Sequence, residues 1–169
     1  MKKAFFCFIC FLMIIGIMSC SHTPTKLEKY INNHNLLKDT SDASIDLRDA
    51  LKTDYDTMFV FDSFTPITGV KRIIGIPDYG DSDNPETALI CSDSEMCKII
   101  LVKNKKVVYD DEYYFNDYYV KIDYHGFDTV INEGIFDGEK IKTIGYINTD
   151  PVLRVNKDGK GISISKKGY

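Results

Sequence analysis

IILVKNKKVVYDDEYYF, residues 99–115, contains two apolar runs separated by a short basic turn. In the second run, apolar and acidic side chains alternate: one parity carries Val107, Tyr109, Tyr113 and Phe115, and the other carries Asp110 and Glu112. Alternation with a period of two is typical of a half-buried β-strand. The stretch therefore predicts two antiparallel strands, 99–102 and 107–115, joined by a tight turn.

Further strands are predicted on both sides of this pair. Residues 58–61, Met-Phe-Val-Phe, are apolar on both faces, which favours a central position in a sheet. Residues 118–124 alternate again, and residues 152–155 and 162–164 form a last hairpin.

Three short helices are predicted before most of these strands. The first spans 26–37, and the second carries Ile45, Leu47, Ala50 and Leu51. The third has Pro66 at its start and Gly75 at its end, where these residue types are favoured. Helices followed by a run of strands predict an α+β fold, an antiparallel sheet with two or three short helices packed on one face.

The N-terminus has the features of an export signal. Two lysines precede fifteen uncharged residues, Ala4–Met18, and this run is short for a spanning helix, which needs about 20 residues. It ends in Ile17-Met18-Ser19-Cys20, which resembles the lipobox of bacterial lipoproteins. That resemblance implies cleavage before Cys20 and lipidation of its thiol. The alternative is an uncleaved N-terminal anchor.

The lipobox sets the expected organisation of the chain. Residues 1–19 are the signal peptide that is removed, 20–25 are the lipidated cysteine and a tether, and 26–169 form a single α+β domain. Two or three acyl chains, palmitate among them, anchor a protein stably where one chain does not. Ser21 is not the aspartate associated with inner-membrane retention, so the outer membrane, facing the periplasm, is favoured.

The charge of the mature chain argues against one class of partner. Removing Lys2 and Lys3 with the signal peptide leaves 19 basic and 25 acidic residues, a net charge of −6. An acidic domain has no electrostatic footprint for nucleic acid.

A second resemblance covers residues 51–66, Leu-Lys-Thr-Asp-Tyr-Asp-Thr-Met-Phe-Val-Phe-Asp-Ser-Phe-Thr-Pro, and the short helix after them. An aromatic-Asp pair, an apolar strand and an aromatic-Thr step into a helix are similar to a pattern in a family of short α+β envelope lipoproteins. The resemblance implies a fold and no activity.

Two cysteines remain in the mature domain besides Cys20. Cys91 and Cys97 flank five polar or flexible residues between the apolar runs 88–90 and 99–101. A hairpin there would place the two thiols opposite one another, in a compartment where disulfides persist. We therefore predict a Cys91–Cys97 disulfide, with two buried thiols as the alternative.

Two stretches have residue types that occur in catalytic or metal sites. His125, with Asp123 or Asp128, could serve as a general base of a hydrolytic enzyme, but no partnered nucleophile accompanies it, and a surface turn explains it better. Residues 78–86 space oxygen ligands as calcium loops do, but they lack the glycine and final glutamate of an EF-hand. We expect no enzyme, no metal and no cofactor.

The tyrosine-rich strands offer a binding surface. Tyr114 and Tyr119 fall on the acidic parity, so they are predicted to face outward beside Asp110 and Glu112. Exposed tyrosines give rigid contact area and carboxylates steer a cationic partner. The simpler explanation is that these tyrosines only complete the sheet.

These observations favour a non-catalytic, membrane-tethered lipoprotein that binds a protein partner in the envelope. Its most specific form is an immunity or exclusion protein that blocks an incoming protein. The alternatives are a structural lipoprotein of an envelope assembly and, less favoured, a hydrolytic enzyme that uses His125.

Overall fold

The computed structural model describes residues 25–36, 43–80, 88–91, 96–114, 120–124, 126–158 and 161–166. These residues form three short helices and nine strands, in the order α1 Lys26–Asn33, β1 Ala43–Asp46, α2 Leu47–Leu51, β2 Thr57–Asp62, α3 Ile67–Ile74, β3 Met96–Lys103, β4 Lys106–Tyr114, β5 Val120–Asp123, β6 Asp128–Phe136, β7 Glu139–Asn148, β8 Val152–Asp158 and β9 Gly161–Lys166.

The strands form two sheets. The large sheet has the order β4-β3-β2-β7-β6 and is antiparallel throughout. The small sheet has the order β1-β8-β9-β5, in which only the β5–β9 pair is parallel. The predicted α+β class is confirmed, although the sequence predicted one sheet and the structure has two.

The predicted central strand is β2, which lies in the middle of the large sheet and is buried on both faces. One face of β2 belongs to an inner core that both sheets share. This core includes Leu27 and Ile31 of α1, Leu47 and Leu51 of α2, Met58 and Val60 of β2, and Leu153 and Ile164 of the small sheet. The other face of β2 packs under α3 through Phe59 and Phe61, with Val70 and Ile74 above them. We call this second cluster the outer core. Helices therefore cover both faces of the large sheet rather than one, because β2 is apolar on both.

The helix boundaries follow local capping. Thr25 and Glu28 form a reciprocal capping box at the start of α1. Asp46 caps α2, so Ile45, predicted to be helical, lies in β1 and pairs with Leu153. Helix α3 ends as predicted at Gly75, whose φ of 72° is the left-handed conformation favoured after a helix.

The β3–β4 hairpin has the predicted strands and turn, with Asn104 and Lys105 both at positive φ. A bulge between Leu101 and Val102 adds one residue to β4 and changes its alternation. Val107 consequently packs with the outer core under α3, whereas Tyr109 packs with the inner core. The sequence had assigned both residues to one face.

The β6–β7 hairpin lies directly against α3 through one of its faces. A Cβ added to Gly69 of α3 would lie 2.0 Å from Oγ1 of Thr143, so only glycine allows this approach. On the same face, Gly145 lies against Phe61 and Ile73. The opposite face of the hairpin is therefore the one left to contact the small sheet or solvent.

Candidate functional site

The predicted steering carboxylates lie together on the α3 side of the large sheet. Nζ of Lys98 lies 3.6 Å from Asp110 and 3.5 Å from Glu112, whose side chains are 43% and 38% exposed. The Tyr79 hydroxyl donates a hydrogen bond of 3.0 Å to Asp110. We call these four residues the acidic surface. Two carboxylates around one ammonium leave a net negative charge in a fixed arrangement.

The predicted tyrosine anchors are only partly described. Tyr114 is the last residue of β4, and its backbone pairs with Met96. Its side chain and the whole of Tyr119 lie outside the described residues, so their outward orientation stays a prediction.

The other tyrosines of β4 are structural. Tyr113 is 2% exposed, and its hydroxyl lies 3.0 Å from that of Tyr109, which donates a 2.8 Å hydrogen bond to Asp111. Lys26 lies 5.3 Å above the centre of the Tyr109 ring. Burial raises the pKa of both phenols well above the ordinary value, so both remain protonated donors.

Cys91 and Cys97 lie near one another, but residues 88–90 do not pair with β3 as predicted. Cys91 accepts a backbone hydrogen bond of 2.9 Å from Phe64, whereas Cys97 pairs with Asp62 on one side and Tyr113 on the other. Residues 88–90 contact the segment before α3 instead of β3. Both cysteines are buried, and no disulfide joins them in this structure. Burial and the nearby Cys91 raise the pKa of Cys97 to about 12.

We still predict that protein purified from the envelope contains a Cys91–Cys97 disulfide. Cys97 pairs with Asp62 and Cys91 with Phe64, so both cysteines lie against the same short segment. The disulfide would close a short loop and stabilise the fold by about 2–3 kcal/mol. Mass spectrometry of the unreduced mature protein should show two hydrogens fewer than the dithiol. Two thiols that alkylate after denaturation without reductant would contradict the disulfide.

No site was predicted in residues 129–146, but the structure shows an exposed apolar surface there. Ile131 is 49% exposed, Ile135 66% and Ile144 38%. Ile131 and Ile144 are cross-strand partners, and Ile135 is four residues along β6, so all three share one face. We call them the isoleucine surface. The Asp137-Gly138 pair was the available signal, because Asp-Gly favours two-residue hairpin turns.

A concavity of about 460 Å³ lies along this hairpin. Its lining consists of Glu133, Gly134, Ile135, Lys140, Ile141 and Lys142. Glu133 faces Lys142 across the strand pair, and Ile135 faces Lys140. Charged and apolar side chains therefore alternate along the exposed face of the hairpin.

The remaining predicted chemistry is not tested by the described part of the chain. His125 and most of residues 78–86 lie outside it. Among the residues that are described, no three acidic, histidine or cysteine side chains are grouped closely enough to hold a metal ion. Within the same residues, no helix has the length and hydropathy needed to cross a bilayer.

Comparison with known proteins adds no relative: no family model, curated protein sequence or solved structure matches this chain.

Proposed function

We propose that the protein is a non-catalytic envelope lipoprotein, anchored through lipid on Cys20, that binds a protein partner at the acidic surface. An immunity or exclusion role against an incoming protein is the most specific form of this proposal. The arrangement of Asp110 and Glu112 around Lys98 is the observation that carries it.

Three contacts support a binding role for these carboxylates. Lys98, only 15% exposed, holds both acids at the sheet surface, and Tyr79 fixes Asp110 from the segment that follows α3. Charged groups that are already positioned lose less side-chain entropy when a partner binds. A net negative, pre-positioned surface favours a cationic partner and increases the rate of encounter.

The proposal predicts separate kinetic effects for acids and tyrosines. Neutralising Asp110 and Glu112, as Asp110→Asn with Glu112→Gln, should slow association and reduce its dependence on salt. Tyr114→Ala or Tyr119→Ala should instead weaken binding by about 2 kcal/mol, mainly through faster dissociation. The partner would be captured from envelope extract with the lipidated protein, and binding kinetics would then be measured for each variant.

A matched control removes the same two charges elsewhere. Asp137→Asn with Glu139→Gln alters the β6–β7 turn and should leave association unchanged. Exposed ion pairs contribute about 0–1 kcal/mol, so neither double variant should unfold the domain. Equal association rates for both double variants would show that the acidic surface does not steer the partner.

A further inference from the structure

Among the described residues, four of the five most exposed large apolar side chains lie towards one end of the large sheet. They are Phe64, 51% exposed, and the three residues of the isoleucine surface. Val108, 40% exposed, lies at the opposite end, beside the β3–β4 turn. The register of the sheet shows this grouping directly.

Strands β2, β4 and β6 run in the same direction, because each is separated from the next by one antiparallel strand. All three finish at the same end, which we call the hairpin end. Val60 of β2 pairs with Tyr146, which is the partner of Thr129. The β6–β7 hairpin continues from Thr129 to Phe136, about 23 Å further at about 3.3 Å per residue.

On the face opposite α3, residues next to the small sheet contact the base of the β6–β7 hairpin. Tyr146 stacks on Tyr124 with ring centroids 4.1 Å apart. Two residues further along β7, Ile144 is exposed, and Ile135 near the tip is the most exposed of the three. On the face opposite α3, exposure therefore increases from Ile144 through Ile131 to Ile135 near the tip.

Phe64 adds an independent observation at the same end. It lies two residues after β2, and its φ of 56° is in the left-handed region that bulky residues rarely adopt. Its backbone N–H is held by the Cys91 carbonyl at 2.9 Å. An exposed phenylalanine in a strained backbone conformation is a candidate for a contact outside the domain.

The N-terminus of the described chain lies on the inner-core side of β4, beside the Tyr109–Tyr113 pair. The Thr25 side chain lies beside Tyr113, which is in the same row of the large sheet as Asp62, and Lys26 lies over the Tyr109 ring. Five residue steps separate Thr25 from Cys20, so the lipidated cysteine lies within about 17 Å of Thr25. Across the sheet, β4 and β6 are about 19 Å apart.

We propose that the hairpin end docks onto the bilayer to which Cys20 is anchored, with the isoleucine surface and Phe64 in the membrane interface. The inference rests on the lipidation in the proposed function and adds the orientation of the domain. The apolar faces of amphipathic helices that bind membranes lie about 5–10 Å into the interfacial region, and a similar depth would immerse these side chains. The acidic surface lies on the α3 side of the sheet, the face opposite the isoleucine surface.

The charges at this end identify the kind of lipid surface. From Thr129 to Tyr146 the hairpin has three acids and two lysines, and Arg72 lies against Gly134. The two signs therefore balance in the set Glu133, Asp137, Glu139, Lys140, Lys142 and Arg72. Docking therefore depends on apolar burial, and anionic headgroups should add little to it.

The test uses the mature, lipidated chain in phosphatidylcholine vesicles. A spin label is attached at Ile135→Cys or, as the matched control, at Val108→Cys, and unsubstituted protein measures background labelling of Cys91 and Cys97. We expect the ratio of oxygen to nickel-chelate accessibility to be several-fold higher at position 135 than at position 108. Replacing a third of the lipid with phosphatidylglycerol should leave the ratio unchanged.

Removing the isoleucine surface should reverse the immersion. Adding Ile131→Ser and Ile144→Ser to the labelled Ile135→Cys protein should lower the ratio towards that of position 108. An unchanged ratio in this variant would overturn the assignment of docking to these residues. So would equal ratios at positions 135 and 108 in the parent proteins.

Two other occupants of this surface would give different results. A second copy would produce dipolar broadening at position 135 that disappears on dilution with unlabelled chain, and a protein would shield the label in native envelopes but not in lipid vesicles. Either result overturns membrane docking. The mass of the same sample shows whether the chain is acylated. An acylated chain whose label at position 135 is exposed to water contradicts docking alone. An unacylated chain contradicts the anchoring as well.

Discussion

Tyr113→Ala should destabilise the mature domain by about 3–5 kcal/mol, the range for removing a buried aromatic ring. Tyr113 is 2% exposed and belongs to the inner core with Cys97, Ile99 and Leu101. The substitution would also remove the hydroxyl that contacts Tyr109 and Thr25. Urea unfolding followed by circular dichroism would measure the loss of free energy.

Tyr113→Phe is the matched control, because it keeps the ring and removes only the hydroxyl. A typical hydrogen bond contributes about 1 kcal/mol to stability, so this variant should lose far less. If Tyr113→Ala unfolded at the same urea concentration as the parent protein, the ring could not be part of the core, and the observed packing of β4 would be contradicted.

Cys20→Ala should abolish acylation and leave the full precursor uncleaved. In the proposed anchoring, the thiol of Cys20 accepts the lipid, and the dedicated peptidase recognises the lipidated cysteine. A protein without acyl chains has no lipid anchor. Labelling of cells with a palmitate analogue, combined with the electrophoretic mobility of the product, would measure both effects.

Cys10→Ala provides the control, because Cys10 lies inside the proposed signal peptide and outside the residues that resemble a lipobox. Acylation and cleavage should be unchanged in that variant. Normal size and normal fractionation of the Cys20→Ala protein would instead favour an uncleaved anchor and remove the basis for the membrane-docking proposal.

Local sequence signals predicted the elements whose pattern is determined by near neighbours. The apolar run of β2 gave its central position, Gly75 gave the end of α3, and the basic turn between β3 and β4 gave their pairing. In each case the burial or backbone conformation that matters is set within a few residues of the signal.

The small sheet could not be predicted in this way. Its β1–β8 pair joins residues 43–46 to residues 152–155, and its β5–β9 pair is parallel. Strand partners so far apart are chosen by tertiary packing, which local alternation does not report. For the same reason Ile45, in a segment with helical spacing, became part of a strand.

Both candidate surfaces show where binary patterning fails. Lys98 precedes the predicted strand 99–102 and was assigned no role, and its position between Asp110 and Glu112 appears only when β3 and β4 are aligned. In β6, exposed isoleucines alternate with residues that face α3, so hydropathy alone does not separate the core face from the solvent face. Apolar residues on a solvent face are informative only after the fold is known.

The long-range pairing of β1 with β8 also affects when the domain can fold. The small sheet cannot close until residues 152–166 have left the ribosome, because β8 and β9 supply its two middle strands. Folding that depends on contacts distant in sequence is slow. The domain therefore cannot be complete before synthesis nears residue 166, and the export proposed above requires a chain that has not yet completed its fold.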